Sequence, residues 1–437
     1  MRRAVVFCLL ISLPSVAQVA PIPTPTQLSG NPFAIKKNWI IGGSGNWDYL
    51  TIDPTAQRLY IAHGRSVQVV DLGSGSGSVA GEIGGFREAH AIALDDTGQY
   101  GYISDGPAGA VAVFDRRTLE VQTTISIGCS PRSIAYEQRS KLLLAVCGAN
   151  AANPGGPILP NRRPSNAAGG ARTTTGSEDN NFAGISHVIA IDTQKNVAIA
   201  DIAVSGDFRF AEADGVGHVY VTVGEAERME FRNGVTNRYH LPPKIAKFDG
   251  PAISDEAQRL RQERSEPSSA PQVSMDWSES DGQGSRANFA TLPLPQSCGR
   301  PQGLAVDGKN FRLFAACNDQ QLLVMNSTDG RVVTALTTGP GDDVIGYDPD
   351  RELIYSANGS GYGSVTIVQQ DANTDAYAVI QNLATLARAR TLAVDPSTGL
   401  VYLVTDYMGV DLSPRGGFAP IKPATIDGSF QVLVVGH

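Results

Sequence analysis

The sequence predicts an all-β, seven-bladed β-propeller of four-stranded antiparallel blades, closed by an N-terminal strand. Three observations predict it: a recurring phrase, uniformly short strands between turns, and a last repeat that is one strand short. The phrase reads Asp-Pro-Thr-Ala-Gln-Arg-Leu-Tyr-Ile-Ala at 53–62 and Asp-Asp-Thr-Gly-Gln-Tyr-Gly-Tyr-Ile-Ser at 95–104. It returns at 307–316, 348–357 and 395–404. A period of about 40 residues built from short strands marks a radial repeat. In each copy a polar turn separates two apolar strands. The Asp side chain bonds its own backbone locally, and proline, where present, presets φ for the turn.

Seven units follow in order. Blade one runs from about Asn46 to Ile83, with strands at Tyr49–Ile52, Arg58–Ala62 and Ser66–Asp71. Blade two covers Glu88 to Ile127, its outer strands being Ala110–Asp115 and Val121–Ile127. Blade three opens at Cys129 and has its third strand at His187–Asp192. Blade four opens near Gly206, with later strands at His218–Val223, Lys244–Asp249 and Phe289–Leu294. Blades five and six run from Cys298 to about Thr337 and from Gly341 to about Leu383. Blade seven begins at Arg388 and ends with Gln431–Val435, leaving no fourth strand of its own. Phe33–Ile41 has the pattern to supply it, which would join the two chain ends and remove the free sheet edges.

The chain divides into residues 1–17, a signal peptide, 18–32, an extended linker, and 33–437, a single propeller domain. Arg2 and Arg3 form a positive start, Ala4 to Leu13 an apolar stretch, and Ser15-Val16-Ala17 a small-residue cleavage site. The apolar stretch is too short to span a bilayer, and no later one qualifies. The expectation is a soluble exported protein, periplasmic or secreted. The formal net charge of −8 argues against nucleic acid or an anionic membrane as partner. Three insertions interrupt the repeats, at 149–185, 225–243 and 250–287. The first two lie between second and third strands and should emerge on one face. The third holds a charged stretch, Asp255–Glu266, that suits a short helix.

Four cysteines remain after cleavage, in matching places of two repeats. Cys129 and Cys298 precede inner strands, and Cys147 and Cys317 end the strands that follow. Adjacent antiparallel strands bring such ends together, so Cys129–Cys147 and Cys298–Cys317 are predicted disulfides, as export permits. A metal or redox pair is the alternative, against which stands the lack of CxxC spacing.

The repeats resemble the YVTN-type β-propellers, the exported YncE-like proteins. The Tyr-Val-Thr-Asn phrase is degraded here to Tyr60-Ile61-Ala62-His63, Tyr102-Ile103-Ser104-Asp105, Tyr220-Val221-Thr222-Val223, Tyr355-Ser356-Ala357-Asn358 and Tyr402-Leu403-Val404-Thr405. The flanking Arg300-Pro301-Gln302-Gly303-Leu304-Ala305-Val306-Asp307 also matches. The resemblance implies the fold and an exported protein; it implies no particular ligand, reaction or cofactor. With no haem-attachment CxxCH and no identifiable quinone site, no cofactor is assigned.

Repeats let equivalent positions be compared within one chain. Each inner strand ends on an acidic residue: Asp53, Asp95, Glu137, Asp307, Asp348 or Asp395. Five residues earlier, at the expected channel mouth, stand Asp48, His90, Arg132, Gln302, Asp343 and Arg390. Blade four is irregular and offers Phe208 or Arg209 there. Neighbours add Trp47, Glu88, Asp207, Arg300, Asp342 and Arg388. Packing alone would repeat one residue type, whereas this ring is polar and differs between blades. Asp48, His90, Arg132, Arg300, Gln302, Asp343, Arg388 and Arg390 are therefore the expected ligand-binding set. A water-filled entrance lined with satisfied polar groups is the plainer alternative.

His63, His90 and His187 end or start strands on that same face and, with Asp342, are weak candidates for a metal site, since their spacing matches no metal motif. His218 lies at the opposite strand end, His240 in a loop, and His437 at the terminus. There is no Gly-x-Ser-x-Gly elbow, His-Glu-x-x-His or phosphate loop. If catalysis occurs, His90 is the candidate proton acceptor. Two functions follow. One is a binding or scaffold module for a small anionic ligand, a carbohydrate or an envelope protein. The other is an exported lyase, hydrolase or metal-dependent oxidoreductase acting at the mouth.

Overall fold

The computed structural model describes residues 32–43, 45–148, 185–232, 235–263, 273–276, 288–317, 320–410 and 423–437. The predicted signal peptide, nearly all of the linker and residues 149–184 lie outside the described residues. Seven antiparallel blades follow one another around a central channel. Six have four strands, and blade three has a fifth. The innermost strands are Trp47–Asp53, Ala89–Leu94, Ser133–Glu137, Asp207–Ala213, Leu304–Asp307, Asp342–Asp348 and Leu392–Asp395.

The recurring phrase works as its chemistry suggests. Asp53 Oδ1 accepts the backbone N–H groups of Thr55 and Ala56, and Asp348 Oδ1 those of Asp350 and Arg351. Glu137 does the same for Arg139 and Ser140 with its longer side chain. These turns close through a left-handed residue four places after the acid, Gln57 at φ 50°, Lys141 at φ 56° and Glu352 at φ 55°. The aromatic residue of the phrase then drops into the seam between blades. Tyr60, Tyr102, Tyr220, Phe314, Tyr355 and Tyr402 are all buried. Tyr60 meets Phe114 at 5.6 Å, and Phe314 meets Tyr347 of the next blade at 5.1 Å.

Closure is as predicted. Ala34–Ile40 lies antiparallel to Gln431–Gly436 as the outermost strand of blade seven, with Trp39 opposite Val432. Trp39 stacks on Tyr402 at 6.0 Å, which ties the N-terminal strand to the blade core.

The insertions add elements that the repeat pattern could not place. Residues 226–232 and 235–241 form a hairpin between the second and third strands of blade four. A helix spans Gly250–Glu263, earlier than the Asp255–Glu266 stretch read from sequence. Asp249 accounts for the difference: its Oδ1 accepts the N–H of Ala252 and starts the helix there. Ile253 and Ala257 pack into the seam between blades three and four. The strand Val273–Asp276 then pairs in parallel with Val197–Ser205, so a segment leaving blade four covers the outer edge of blade three. Blade seven carries a further excursion, in which Met408–Val410 pairs with Pro423–Thr425.

Both disulfides form within single blades: Cys129–Cys147 and Cys298–Cys317, with Cα atoms 6.0 and 4.8 Å apart.

Candidate functional site: the channel mouth

Strand register assigns each mouth position. Thr51 pairs with Tyr60, Ala93 with Tyr102, Ala135 with Leu144, Glu212 with Tyr220, Ala305 with Phe314, Gly346 with Tyr355 and Ala393 with Tyr402. Three residues before each lie Asp48, His90, Arg132, Arg209, Gln302, Asp343 and Arg390. Blade four is therefore regular, and Arg209 rather than Phe208 holds its mouth position. Asp214 follows Arg209 by five residues, as Asp53 follows Asp48, and its Oδ1 accepts the N–H groups of Val216 and His218 in a turn one residue shorter than that from Asp53 to Tyr60.

A cavity of about 610 Å³ opens at this mouth. Asp48, His90, Gln302, Asp343, Arg388 and Arg390 line it, together with Trp47, Glu88 and Ser360. Arg132 and Arg300 do not; both are exposed. The lining thus comes from blades one, two, five, six and seven.

Within the cavity the charges are partly paired. His90 Nδ1 lies 2.8 Å from Asp48 Oδ2, across the seam of blades one and two. Arg390 donates to the carbonyl of Trp47 at 3.0 Å and stands 3.6 Å from Asp343 Oδ2, so the guanidinium is only loosely engaged by the acid. Its side chain remains 45% exposed. Burial pushes the Asp343 carboxyl up to about 6; nearby Asp48 and Asp342 add to the rise and Arg390 opposes it. Arg388 takes φ +69°, unusual for a residue with a side chain. It donates to Asp406 Oδ1 at 2.5 Å and stacks over the Trp47 ring at 4.5 Å. Two buried atoms here, Trp47 Nε1 and Asp406 Oδ2, have no partner among the described residues. Gly359 leaves room for Arg390: a Cβ there would stand 2.6 Å from that of Arg390.

The other histidines have local contacts. His63 is buried, with Nδ1 2.9 Å from Gln68 Oε1 and its ring 3.9 Å from Phe430. His187 lies 2.8 Å from Asp201 in the outer half of blade three. Asp342 is buried and accepts the backbone N–H of Cys317 at 3.1 Å. With His90 at the mouth, the four candidate metal ligands lie in four separate contacts. Among the described residues no group of three His, Cys, Asp or Glu side chains is placed to hold a metal ion. His218 pairs with Asp214 at 2.7 Å at the far end of its strand.

One position down the channel, Tyr49 of blade one meets Phe210 of blade four edge to face, 5.0 Å apart. These rings form the floor of the mouth. Burial, with Asp48 and Asp343 adding, raises the Tyr49 phenol well above its ordinary value. Sequence comparison missed this floor, because it requires knowing which blades face each other.

The fold and its polar mouth define a seven-bladed β-propeller. No family model and no curated protein matches the chain. Solved structures do. Hydrazine synthase of Kuenenia stuttgartiensis is 12% identical at a TM-score of 0.53, over 81% of this chain and 91% of that one. U3-55K is 11% identical at 0.56, over 90% and 97%. The WD40 repeats of RRP9 are 11% identical at 0.56, over 91% and 96%. At such identities the likeness is one of fold alone. Among the described residues no helix is long and apolar enough to cross a membrane.

Proposed function

We propose that this chain is an exported binding protein of the YVTN-like kind, whose channel mouth takes a small polyhydroxylated or anionic ligand. An acidic sugar satisfies both descriptions. The observation that carries the reading is the loosely held Arg390, facing the same cavity as the Asp48–His90 pair. A guanidinium with unused donors suits a carboxylate or phosphate, and carboxylates beside it suit hydroxyl groups.

Calorimetry with glucuronate, galacturonate, glucose and inorganic phosphate tests it. Binding of an acidic member, weakened at least tenfold by Arg390→Ala with the melting temperature retained, is the expected result. No binding by any of the four, or equal affinity in the variant, counts against the mouth as the site.

One observation favours a second reading. Asp48 orients His90 as a carboxylate orients a general base, which is the arrangement of an exported lyase or hydrolase. Turnover of a bound acidic sugar that Asp48→Asn abolishes while binding persists would select this reading.

A further inference from the structure

Below the Tyr49–Phe210 floor the channel holds a second cavity, of about 250 Å³, lined by the inner strands of all seven blades. Its lining includes one charged residue, Glu212. The register given above places Glu212 in a ring with Thr51, Ala93, Ala135, Ala305, Gly346 and Ala393. Six members are small, so none reaches across to the carboxylate. The polar side chains nearby are already engaged. Thr51 Oγ1 donates to the carbonyl of Ile92 at 2.7 Å, Ser133 Oγ accepts the N–H of Ala211 at 3.0 Å, and Tyr347 donates to Asp307 at 3.1 Å. Glu212 has no hydrogen-bond partner among the described residues, and burial alone raises its carboxyl to about 7.

Glu212 is half-buried and its carboxylate faces this cavity without a counter-charge, a cost that proteins meet with a paired charge, a bound cation or a proton. This cavity has space for a cation beside the acid. Its walls also present the unpaired edges of seven inner strands, and an unpaired strand edge offers backbone carbonyls. A divalent ion would require several oxygen ligands, commonly more than one of them a carboxylate. Here there is one carboxylate, with strand edges around it.

We propose that Glu212 marks a site inside the channel for a small monocation, ammonium or methylammonium among them. The carboxylate supplies the charge, and strand carbonyls accept the remaining N–H donors. The site is separate from the mouth, from which the Tyr49–Phe210 contact divides it.

Thermal melts of the full chain at pH 8 test this, with ionic strength held by choline chloride. Ammonium and methylammonium chloride should raise the melting temperature saturably in the wild type, by several degrees, and leave Glu212→Gln unmoved. No saturable rise, or the same rise in both proteins, overturns the site. A rise with calcium equal to that with ammonium overturns the preference for a monocation. If the variant does not fold, the wild type alone decides: at pH 5 the ammonium effect should vanish as Glu212 takes a proton. Its persistence there overturns the proposal. The tyrosines packed around Glu212, namely Tyr49, Tyr220 and Tyr347, are raised by burial and stay protonated at both pH values.

Discussion

Tyr49 and Phe210, contributed by blades one and four, touch edge to face 5.0 Å apart across the channel. Blades one and four are not neighbours in the ring, so this contact braces opposite walls and separates the mouth from the channel below. A double-mutant cycle with Tyr49→Ala and Phe210→Ala should return a coupling of about 1 kcal/mol, the usual worth of an aromatic pair beyond its buried area. Urea denaturation measures it. Strict additivity would mean the rings lie side by side without interacting.

Stability should fall as pH rises through neutrality, because Glu212 binds its proton more tightly folded than unfolded. Burial moves its carboxyl from the ordinary 4.5 to about 7. The stabilisation tied to the protonated form is complete below 4.5 and lost as pH climbs through about 7. The loss is at most about 3 kcal/mol. Asp343, raised to about 6, adds a loss of the same sign at lower pH. Glu212→Gln keeps the shape and removes the titration. Urea midpoints at pH 5, 6, 7 and 8 in choline buffer should decline less steeply in this variant. Parallel declines would place the titration elsewhere.

Each disulfide closes a short loop, with sequence separations of 18 and 19. Replacing either pair by serine should cost about 2–4 kcal/mol, mostly by freeing the unfolded chain. Non-reducing peptide maps of the native protein should contain the 129–147 and 298–317 cross-links. Free thiols in native protein would contradict the pairing.

The closure strand should be needed for the last blade to hold. Trp39 is 9% exposed and anchors that strand on Tyr402. Trp39→Ala should cost about 3–5 kcal/mol, as for other large core truncations. Hydrogen exchange should show the loss first at Gln431–Gly436, whose outer edge the strand covers. Unchanged protection there would mean that the edge is held by other contacts.

What the sequence determined by itself is local or repeated. The phrase Asp-Pro-Thr-Ala-Gln-Arg-Leu-Tyr at 53–60 carries its own turn, strand ends and seam aromatic, and its five copies with the two strand units between the second and third of them gave seven blades. Matching places in two repeats paired Cys129 with Cys147 and Cys298 with Cys317. A missing strand at one chain end and a spare one at the other implied closure. Mouth positions were legible in six blades, because they lie a constant distance from the terminal acid of each inner strand. Blade four escaped because its turn, Asp214-Gly215-Val216-Gly217, does not carry the phrase, although Arg209 and Glu212 keep the same distances from Asp214 as Asp48 and Thr51 keep from Asp53. Only the tertiary structure decided which mouth residues share a cavity: Asp48, His90, Asp343 and Arg390 do, while Arg132 and Arg300 stand outside it. It alone placed Val273–Asp276 on blade three, and set Tyr49 against Phe210. These contacts join residues far apart in the chain, and their geometry depends on how seven blades close into a ring. Strand periodicity records which face a side chain takes within its own blade, but carries no information about what stands across the channel.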